Sequence, residues 1–183
     1  IKGLGGAINL GIKKSSGENV AIMMADQSDD INDLKKYNDL MNSDDYDAIL
    51  GSRFTKHSKV NDYPFQKLIL NRIFNFFVSI IFWNKYNDYT NAFKIYKRST
   101  LLAIKPLISE SFNIFLEIPL KIISRNYKYK IIAINWFGRK TVKGGLAKER
   151  LKAVWPKACK KMIGDKNSPR RHACAQQKTA ATS

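Results

Sequence analysis

The sequence NVAIMMADQSDD, residues 19–30, decides how this chain folds and where its chemistry lies. Its apolar part, residues 19–24, predicts a β-strand that delivers an acidic cluster onto the start of a helix. Open α/β sheets place ligands at the carboxyl ends of their strands, and the hard carboxylate oxygens of Asp26 suit Mg²⁺ or Mn²⁺. The alternative is a capped helix start, with Ser28 or Asp29 as the N-cap and acidic residues complementing the helix dipole.

Helices and strands alternate on both sides of this stretch. Residues 4–14 and 31–41 have the apolar spacing of helices, and residues 46–50 predict a second short strand. This alternation predicts an α/β fold with a doubly wound parallel sheet. With 183 residues and 44% hydrophobic content, the chain is long enough for one core and one domain.

The two ends of the chain differ from the middle. Gly3, Gly5 and Gly6 lead straight into a helical pattern, so we expect an N-terminal portion to precede Ile1. From residue 148 onward ten basic residues face two acidic ones, and no apolar period is visible near the end. We therefore divide the chain into a partial domain at residues 1–147 and a basic, disordered tail at residues 148–183.

The formal net charge of +17 indicates an anionic partner: a nucleic acid, an acidic membrane surface or a phosphorylated substrate. Cys159 and Cys174 lack CxxC spacing, so they indicate neither a metal site nor a disulfide framework. No signal peptide is visible, and no apolar run reaches the roughly 18 residues of a spanning helix. A reducing, cytoplasmic setting follows as the default.

Residues 64–83 predict a long helix that begins at a proline. Asn71, Asn75 and Ser79 recur every four residues and leave a broad apolar face. That face consists of Leu68, Ile69, Ile73, Phe76, Phe77, Ile80, Ile81 and Trp83. Apolar helix stripes usually pack inward, so we predict that this face joins the core. The alternative is an interfacial role at a membrane, which the aromatic residues favour.

Three further positions have the chemistry of a phosphate-binding site. Arg53 follows the second strand at the same sheet edge as Asp26 and can reach a phosphate, or it is a solvated turn residue. Asp88 precedes a strand and can serve as a general base, or it is a turn residue. Arg72, one turn before Asn75 on a mostly apolar helix, needs a partner, for which an anionic ligand is one candidate.

Two other segments support this prediction. Glu117 is the only acid of a helix at residues 115–125, where it pairs with a basic group of the site or with Lys121 at i+4. Arg139 and Lys143 lie in a glycine-containing basic segment that suits a loop closing on phosphates. The alternative for that segment is a solvated basic loop.

Six short motifs follow one another in an order that resembles a known family. They are GGAINLGI at residues 5–12, ADQSDD at 25–30, GSR at 51–53, Arg72 with Asn75, DYT with FK at 88–94, and FLEI at 115–118. Together they resemble the family 2 glycosyltransferases, in the branch of dolichol-phosphate mannose synthases and bacterial polyprenyl-phosphate glycosyltransferases. The similarity covers residues 3–143.

The resemblance implies a GT-A-like α/β sandwich with a mixed sheet whose N-terminal, nucleotide-binding strands are missing from this sequence. It implies sugar transfer from a nucleotide-sugar donor, GDP-mannose or UDP-glucose, to a polyprenyl phosphate acceptor. The enzyme is expected in the cytoplasm, peripherally associated with the anionic surface of the cytoplasmic membrane.

By the same resemblance, Asp26 and Ser28 bind Mg²⁺ or Mn²⁺, although Met24 replaces the first acid of the family's D-x-D-like motif. Further roles fall to the following residues: Asp88 near the acceptor as a second catalytic residue, Arg53, Arg72 and Arg139 at phosphate, and Asn75, Glu117 and Lys143 in support.

The sequence leaves two alternative functions open. A family 2 transferase can use a polysaccharide or a protein as acceptor instead of a lipid phosphate. A basic nucleic-acid-binding module is a less favoured alternative, because the basic residues form no recognised binding motif. That module predicts salt-sensitive binding to DNA or RNA that survives loss of Asp26.

Overall fold

The structure is a computed structural model that describes residues 3–26 and 28–138. Within these residues helices and strands alternate in an α/β arrangement. In chain order the elements are α1 Gly3–Lys14, β1 Asn19–Ile22, α2 Ile31–Ser43, β2 Ala48–Ser52, β3 Val60–Asn61, α3 Phe65–Ile81, β4 Lys94–Lys97, α4 Arg98–Ala103, α5 Ile114–Ser124, β5 Tyr129–Ala133 and β6 Trp136–Phe137. The predicted helices and the principal strands are therefore present.

The main sheet has four strands in the order β1-β4-β2-β5. Strand β4 is antiparallel to both of its neighbours, whereas β2 and β5 are parallel. The prediction of a wholly parallel sheet is wrong, and the mixed sheet of a GT-A-like fold is confirmed. Leu50 near the end of β2 pairs with Lys94 at the start of β4. The chain therefore leaves the sheet after β2 and re-enters it with β4 at the same edge. For this reason β4 is antiparallel to β2.

Helices cover both faces of this sheet, because successive strand residues point to opposite sides. Ile49 of β2 packs in one buried cluster with Leu34, Tyr37 and Met41 of α2. Its neighbour Leu50 packs in the other cluster, which contains residues of α1, α4 and α5. The result is a three-layer sandwich with β2 and β4 at its centre.

The apolar face predicted for α3 does not join this core, although Val78 of this helix packs in the cluster that contains Leu50. The buried residues of α3 are Asn75 and Val78, while most of its apolar side chains are exposed, including Phe76 at 61% and Phe77 at 57%. The polar stripe faces the protein instead, because Asn75 finds hydrogen-bond partners there. The prediction that the apolar face packs inward is wrong, and the face forms a surface.

Two glycines are required by close approach. A Cβ atom on Gly51 would lie 1.9 Å from the Tyr37 hydroxyl oxygen, at the contact between β2 and α2. A Cβ atom on Gly5 would lie 1.8 Å from the carbonyl oxygen of Ser109, to whose neighbour Glu110 the Gly5 N–H donates. These positions set how closely α2 and α1 pack.

In the part of the chain that the structure describes, no helix has both the length and the apolar content needed to cross a bilayer. The boundary predicted at residue 147 and the basic tail lie outside the described residues.

Candidate functional site

A cleft of about 410 Å³ opens at the carboxyl ends of β1 and β2. Its lining comes from the loop after β1, the residue after β2, the start of α3, the loop before β4 and the start of α5. The lining residues are Met24, Asp26, Ser28, Asp29, Arg53, Asp62, Tyr63, Pro64, Lys67, Thr90, Asn91, Ala92, Phe112, Phe115 and Trp136. The structure thus brings Asp26, Ser28 and Arg53 together, as the sequence predicted, because β1 and β2 end at the same sheet edge.

Asp26 and Ser28 are joined by two hydrogen bonds in this cleft. The backbone N–H and the hydroxyl of Ser28 both donate to Oδ1 of Asp26, at 3.1 and 2.7 Å. The N-cap of α2 is Asp30, whose Oδ1 accepts from the Asn32 N–H at 2.9 Å. The alternative in which Ser28 or Asp29 caps this helix is therefore wrong.

Asp29 is a second carboxylate of the cleft, although its sequence position indicated only a helix cap or a charge complementing the helix dipole. Its Oδ2 accepts from the backbone N–H of Met24 at 3.3 Å. Burial, reinforced by the carboxylate of Asp26, raises the pKa of Asp29 to about 6. The signal in the sequence was the D-x-x-D spacing of Asp26 and Asp29, directly after a strand.

The donor set can be compared with what a hard divalent ion requires. No group of three or more His, Cys, Asp or Glu side chains gathers in the described residues in a way that could hold a metal. Mg²⁺ is commonly held by one or two carboxylates together with substrate phosphates and water. Asp26, with Ser28 beside it, fits a site of that kind, which a diphosphate would complete.

Arg53 and Asp88 form a buried ion pair at the floor of the cleft. Nε and Nη2 of Arg53 lie 2.9 and 2.7 Å from the two Asp88 oxygens, and the Arg53 backbone N–H donates to Oδ2 at 2.8 Å. Burial acts to lower the pKa of Arg53, but its hydrogen bonds to Asp88 prevail and raise it. The guanidinium carbon also lies 5.5 Å from the Tyr63 ring centroid and 5.9 Å from that of Trp136.

Asp88 is enclosed by the protein and is bound on both carboxylate oxygens by Arg53. Arg53 lines the cleft, whereas Asp88 stands behind it. The geometry favours Asp88 as the residue that orients Arg53, and its role as a catalytic base stays a prediction.

Arg72 and Asn75 lie one turn apart on α3, but their surroundings differ. Arg72 is exposed, with its guanidinium carbon 4.8 Å from the Phe54 ring centroid, and it does not line the cleft. Asn75 is buried; its Oδ1 accepts from the Tyr89 N–H at 2.6 Å, and its Nδ2 donates to the Asn71 carbonyl at 2.8 Å. Asn75 supports the loop before β4, and phosphate binding by Arg72 stays a prediction.

Glu117 pairs with Lys121 at 2.6 Å, as one of the two alternatives predicted. Its carboxylate also accepts from the backbone N–H groups of Ile108 and Ser109. Burial acts to raise the pKa of Glu117, but the hydrogen bonds from Lys121 and from these N–H groups lower it to about 2. Glu117 therefore anchors the segment between α4 and α5.

Arg139 and Lys143, predicted to belong to a basic loop that closes on phosphates, lie outside the described residues. Their roles stay predictions. The cleft also contains residues that were not predicted from the sequence: Lys67 and the aromatic pair Tyr63 and Trp136, whose ring centroids are 5.0 Å apart. No local motif marks these residues, since they meet only through the fold.

A comparison with protein families agrees with this arrangement. The family model described as Glycosyl transferase family 2 matches residues 2–104, which is more than half of the 183-residue chain. The matched region contains every element from α1 to α4, and with them Asp26, Ser28, Arg53 and Asp88.

Proposed function

The chain belongs to glycosyltransferase family 2 and is a transferase that uses a nucleotide sugar. We propose that its acceptor is a polyprenyl phosphate. We propose GDP-mannose or UDP-glucose as the donor, Mg²⁺ or Mn²⁺ as the ion, and the cytoplasmic face of a membrane as the place of reaction. We also propose that the chain belongs to the branch of glycosyltransferase family 2 that transfers sugars to lipid phosphates.

The observation that carries the proposal is the exposed apolar face of α3 beside the cleft. Pro64 and Lys67, where α3 begins, line the cleft, and Phe65 and Leu70 are 73% and 68% exposed. Phe112, which lines the cleft from the segment before α5, is also an exposed apolar residue. When the phosphate of a lipid lies in the cleft, the hydrocarbon chain of that lipid can extend over this apolar surface. Extended apolar patches on soluble proteins mark interaction sites.

Charge supports an anionic membrane as the setting. Lys67 and Arg72 are exposed on α3, and Lys85 is exposed four residues after its end. Basic side chains near an anionic leaflet each contribute about 1 kcal/mol of attraction. The net charge of +17 acts in the same direction. Peripheral association at the cytoplasmic face follows as the proposed localisation.

The chemistry of the proposed reaction is a substitution at the anomeric carbon of the sugar. An oxygen of the acceptor phosphate forms a bond to C1, and the bond between C1 and the diphosphate oxygen breaks, so that the nucleoside diphosphate leaves. The acceptor oxygen is already anionic and needs no strong base. The protein therefore acts mainly by positioning and by charge stabilisation.

The described residues suit these tasks. Arg53, oriented by Asp88 and flanked by aromatic rings, presents a guanidinium to phosphate oxygens in the cleft. Lys67 offers a second cation at the α3 side. When bound at Asp26, a divalent ion would screen the charge of the leaving diphosphate.

The test is sugar transfer by the full-length protein from GDP-mannose or UDP-glucose to undecaprenyl phosphate in vesicles. We expect product that requires Mg²⁺ or Mn²⁺, and a loss on the order of a hundredfold in Asp26→Ala. Asp39→Ala, the same change at an exposed position of α2, is the matched control. Transfer to a polysaccharide or protein acceptor, with none to the lipid phosphate, would overturn the proposed acceptor.

A further inference from the structure

Lys94, the first residue of β4, is a lysine with no exposed surface. Its ammonium donates to the backbone carbonyl oxygens of Tyr89 at 3.1 Å and of Phe115 at 3.4 Å, and it also contacts that of Asn91. Within the described residues its hydrogen-bond partners are these carbonyls, and no carboxylate lies within ion-pair distance. Keeping a cation in such a place is costly, which indicates a specific use.

Two of the three carbonyls belong to residues of the cleft wall, and Tyr89 directly precedes Thr90, which is also in that wall. Asn91 and Phe115 line the cleft, as does Ala92 between Asn91 and β4. Lys94 therefore lies directly behind this wall and joins the loop before β4 to the first turn of α5. The side chain of Asn91 is itself fixed, since its Nδ2 donates to the carbonyl of Gly51 at 3.1 Å.

We propose that Lys94 is a positioning residue that holds this wall in place and whose buried positive charge stabilises the diphosphate of a nucleotide bound in the cleft, without touching it. This inference rests on the proposed function for the identity of the anion. A buried charge is screened less than a surface charge, so it acts across a protein wall.

The surroundings of Lys94 make this charge responsive to an anion. Burial lowers the pKa of Lys94 to about 7, Asp88 and Asp29 act to raise it, and Arg53 acts to lower it. Tyr86, whose ring centroid is 5.8 Å from Nζ, stays neutral because burial raises its pKa. An added anion favours the protonated ammonium, so at about pH 8 binding should be accompanied by proton uptake.

The experiment is calorimetric titration of the full-length protein with GDP and with UDP in the presence of Mg²⁺, at about pH 8 in two buffers of different ionisation enthalpy. For the wild type we expect uptake of a sizeable fraction of a proton. Lys94→Met should bind on the order of tenfold more weakly and lose the uptake. Lys94→Arg, which keeps a permanent charge, should restore affinity without uptake.

The matched control is Lys97→Met, three residues further along the same strand. Lys97 pairs with the exposed Asp45 at 2.5 Å, so its loss should change neither affinity nor proton uptake. Circular dichroism and thermal melting establish that each variant is folded. If Lys94→Met does not fold, the inference is tested by the proton uptake of the wild type and by the affinity and proton uptake of Lys94→Arg.

Three results would overturn the inference: wild-type binding without proton uptake, equal affinity and uptake in Lys94→Met, or no binding of either nucleotide. None of these readouts needs an acceptor. Failure of sugar transfer to undecaprenyl phosphate, with the Lys94 effects present, would instead reject the proposed acceptor alone.

Discussion

Oδ1 of Asn75 accepts a hydrogen bond from the backbone N–H of Tyr89 at 2.6 Å, which joins α3 to the loop that leads into β4. A second asparagine reinforces the joint, because Nδ2 of Asn71 donates to the Thr90 hydroxyl at 2.8 Å. Thr90 also accepts from Arg53 at 3.3 Å. The helix with the exposed apolar face is thus connected by hydrogen bonds to the ion pair of the cleft.

We expect Asn75→Ala to lower the free energy of unfolding by about 1–3 kcal/mol, because the buried N–H of Tyr89 loses its partner. Urea denaturation measures the change. Ser79→Ala, one turn further along α3, is the control; its hydroxyl donates to the Phe76 carbonyl within the same helix. That control should change stability by no more than about 0.5 kcal/mol. Equal losses of stability in both variants would show that the hydrogen bond between Asn75 and Tyr89 does not stabilise the fold.

Removing one partner of the buried ion pair between Arg53 and Asp88 should lower the free energy of unfolding by more than Asn75→Ala does. Asp88→Ala leaves a buried guanidinium without its counter-ion, for which losses of about 3–5 kcal/mol are typical. The double variant Arg53→Met with Asp88→Leu should recover part of that loss, although it should not restore activity. Chemical denaturation and a transfer assay measure the two effects. A loss below about 1 kcal/mol in Asp88→Ala would show that the pair is not a structural unit.

The exposed face of α3 should bind membranes. Replacing Phe76 and Phe77 together by Asp removes two aromatic side chains from the surface, so we expect partition onto vesicles with anionic lipid to fall more than about tenfold. Stability should change little, because both side chains are already more than half exposed. Leu10→Asp, at an exposed apolar position of α1, is the control in the same sedimentation assay. Unchanged partition of the double variant would argue against this face as the contact.

Glu117 should make stability depend on acid pH. Its pKa of about 2 in the folded protein lies below the ordinary 4.5, so the ionised carboxylate stabilises the fold above about pH 4.5. This contribution is lost as the pH falls from 4.5 towards 2. Glu117→Gln should therefore be less stable than the wild type near neutral pH, and the difference should shrink in acid.

Thermal melts between neutral pH and about pH 2.5 test this. Glu110→Gln, an exposed position in the segment between α4 and α5, is the matched control. A difference between the wild type and Glu117→Gln that stays constant across this range would contradict the assignment.

Local patterns predicted the elements of this fold well. The predicted helix at residues 31–41 is α2, Ile31–Ser43, because its apolar period and its acidic start are both encoded within a dozen residues. The pairing of strands was not encoded in this way. Asn19 of β1 pairs with Lys97 of β4, and no local pattern relates two residues so far apart in sequence.

Helix α3 shows the same limit at the candidate site. The four-residue spacing of Asn71 and Asn75 correctly identified one polar face, but it did not indicate which face meets the protein. That choice depends on Tyr89 and Thr90, whose hydrogen bonds satisfy the two asparagines. Asp26 and Arg53 were predictable as neighbours because both follow strands that end at one edge, whereas Lys94 reads locally as an ordinary strand residue.

The position of β4 between β1 and β2 has a consequence for synthesis. As the chain leaves the ribosome, β1 and β2 emerge before β4, the strand that lies between them, and within the described residues β1 pairs in this sheet with β4 alone. The nascent chain therefore carries unpaired strand edges while α3 is being made, a period in which such edges are open to mispairing. We therefore expect fragments that stop before Lys94 to fail to form this sheet.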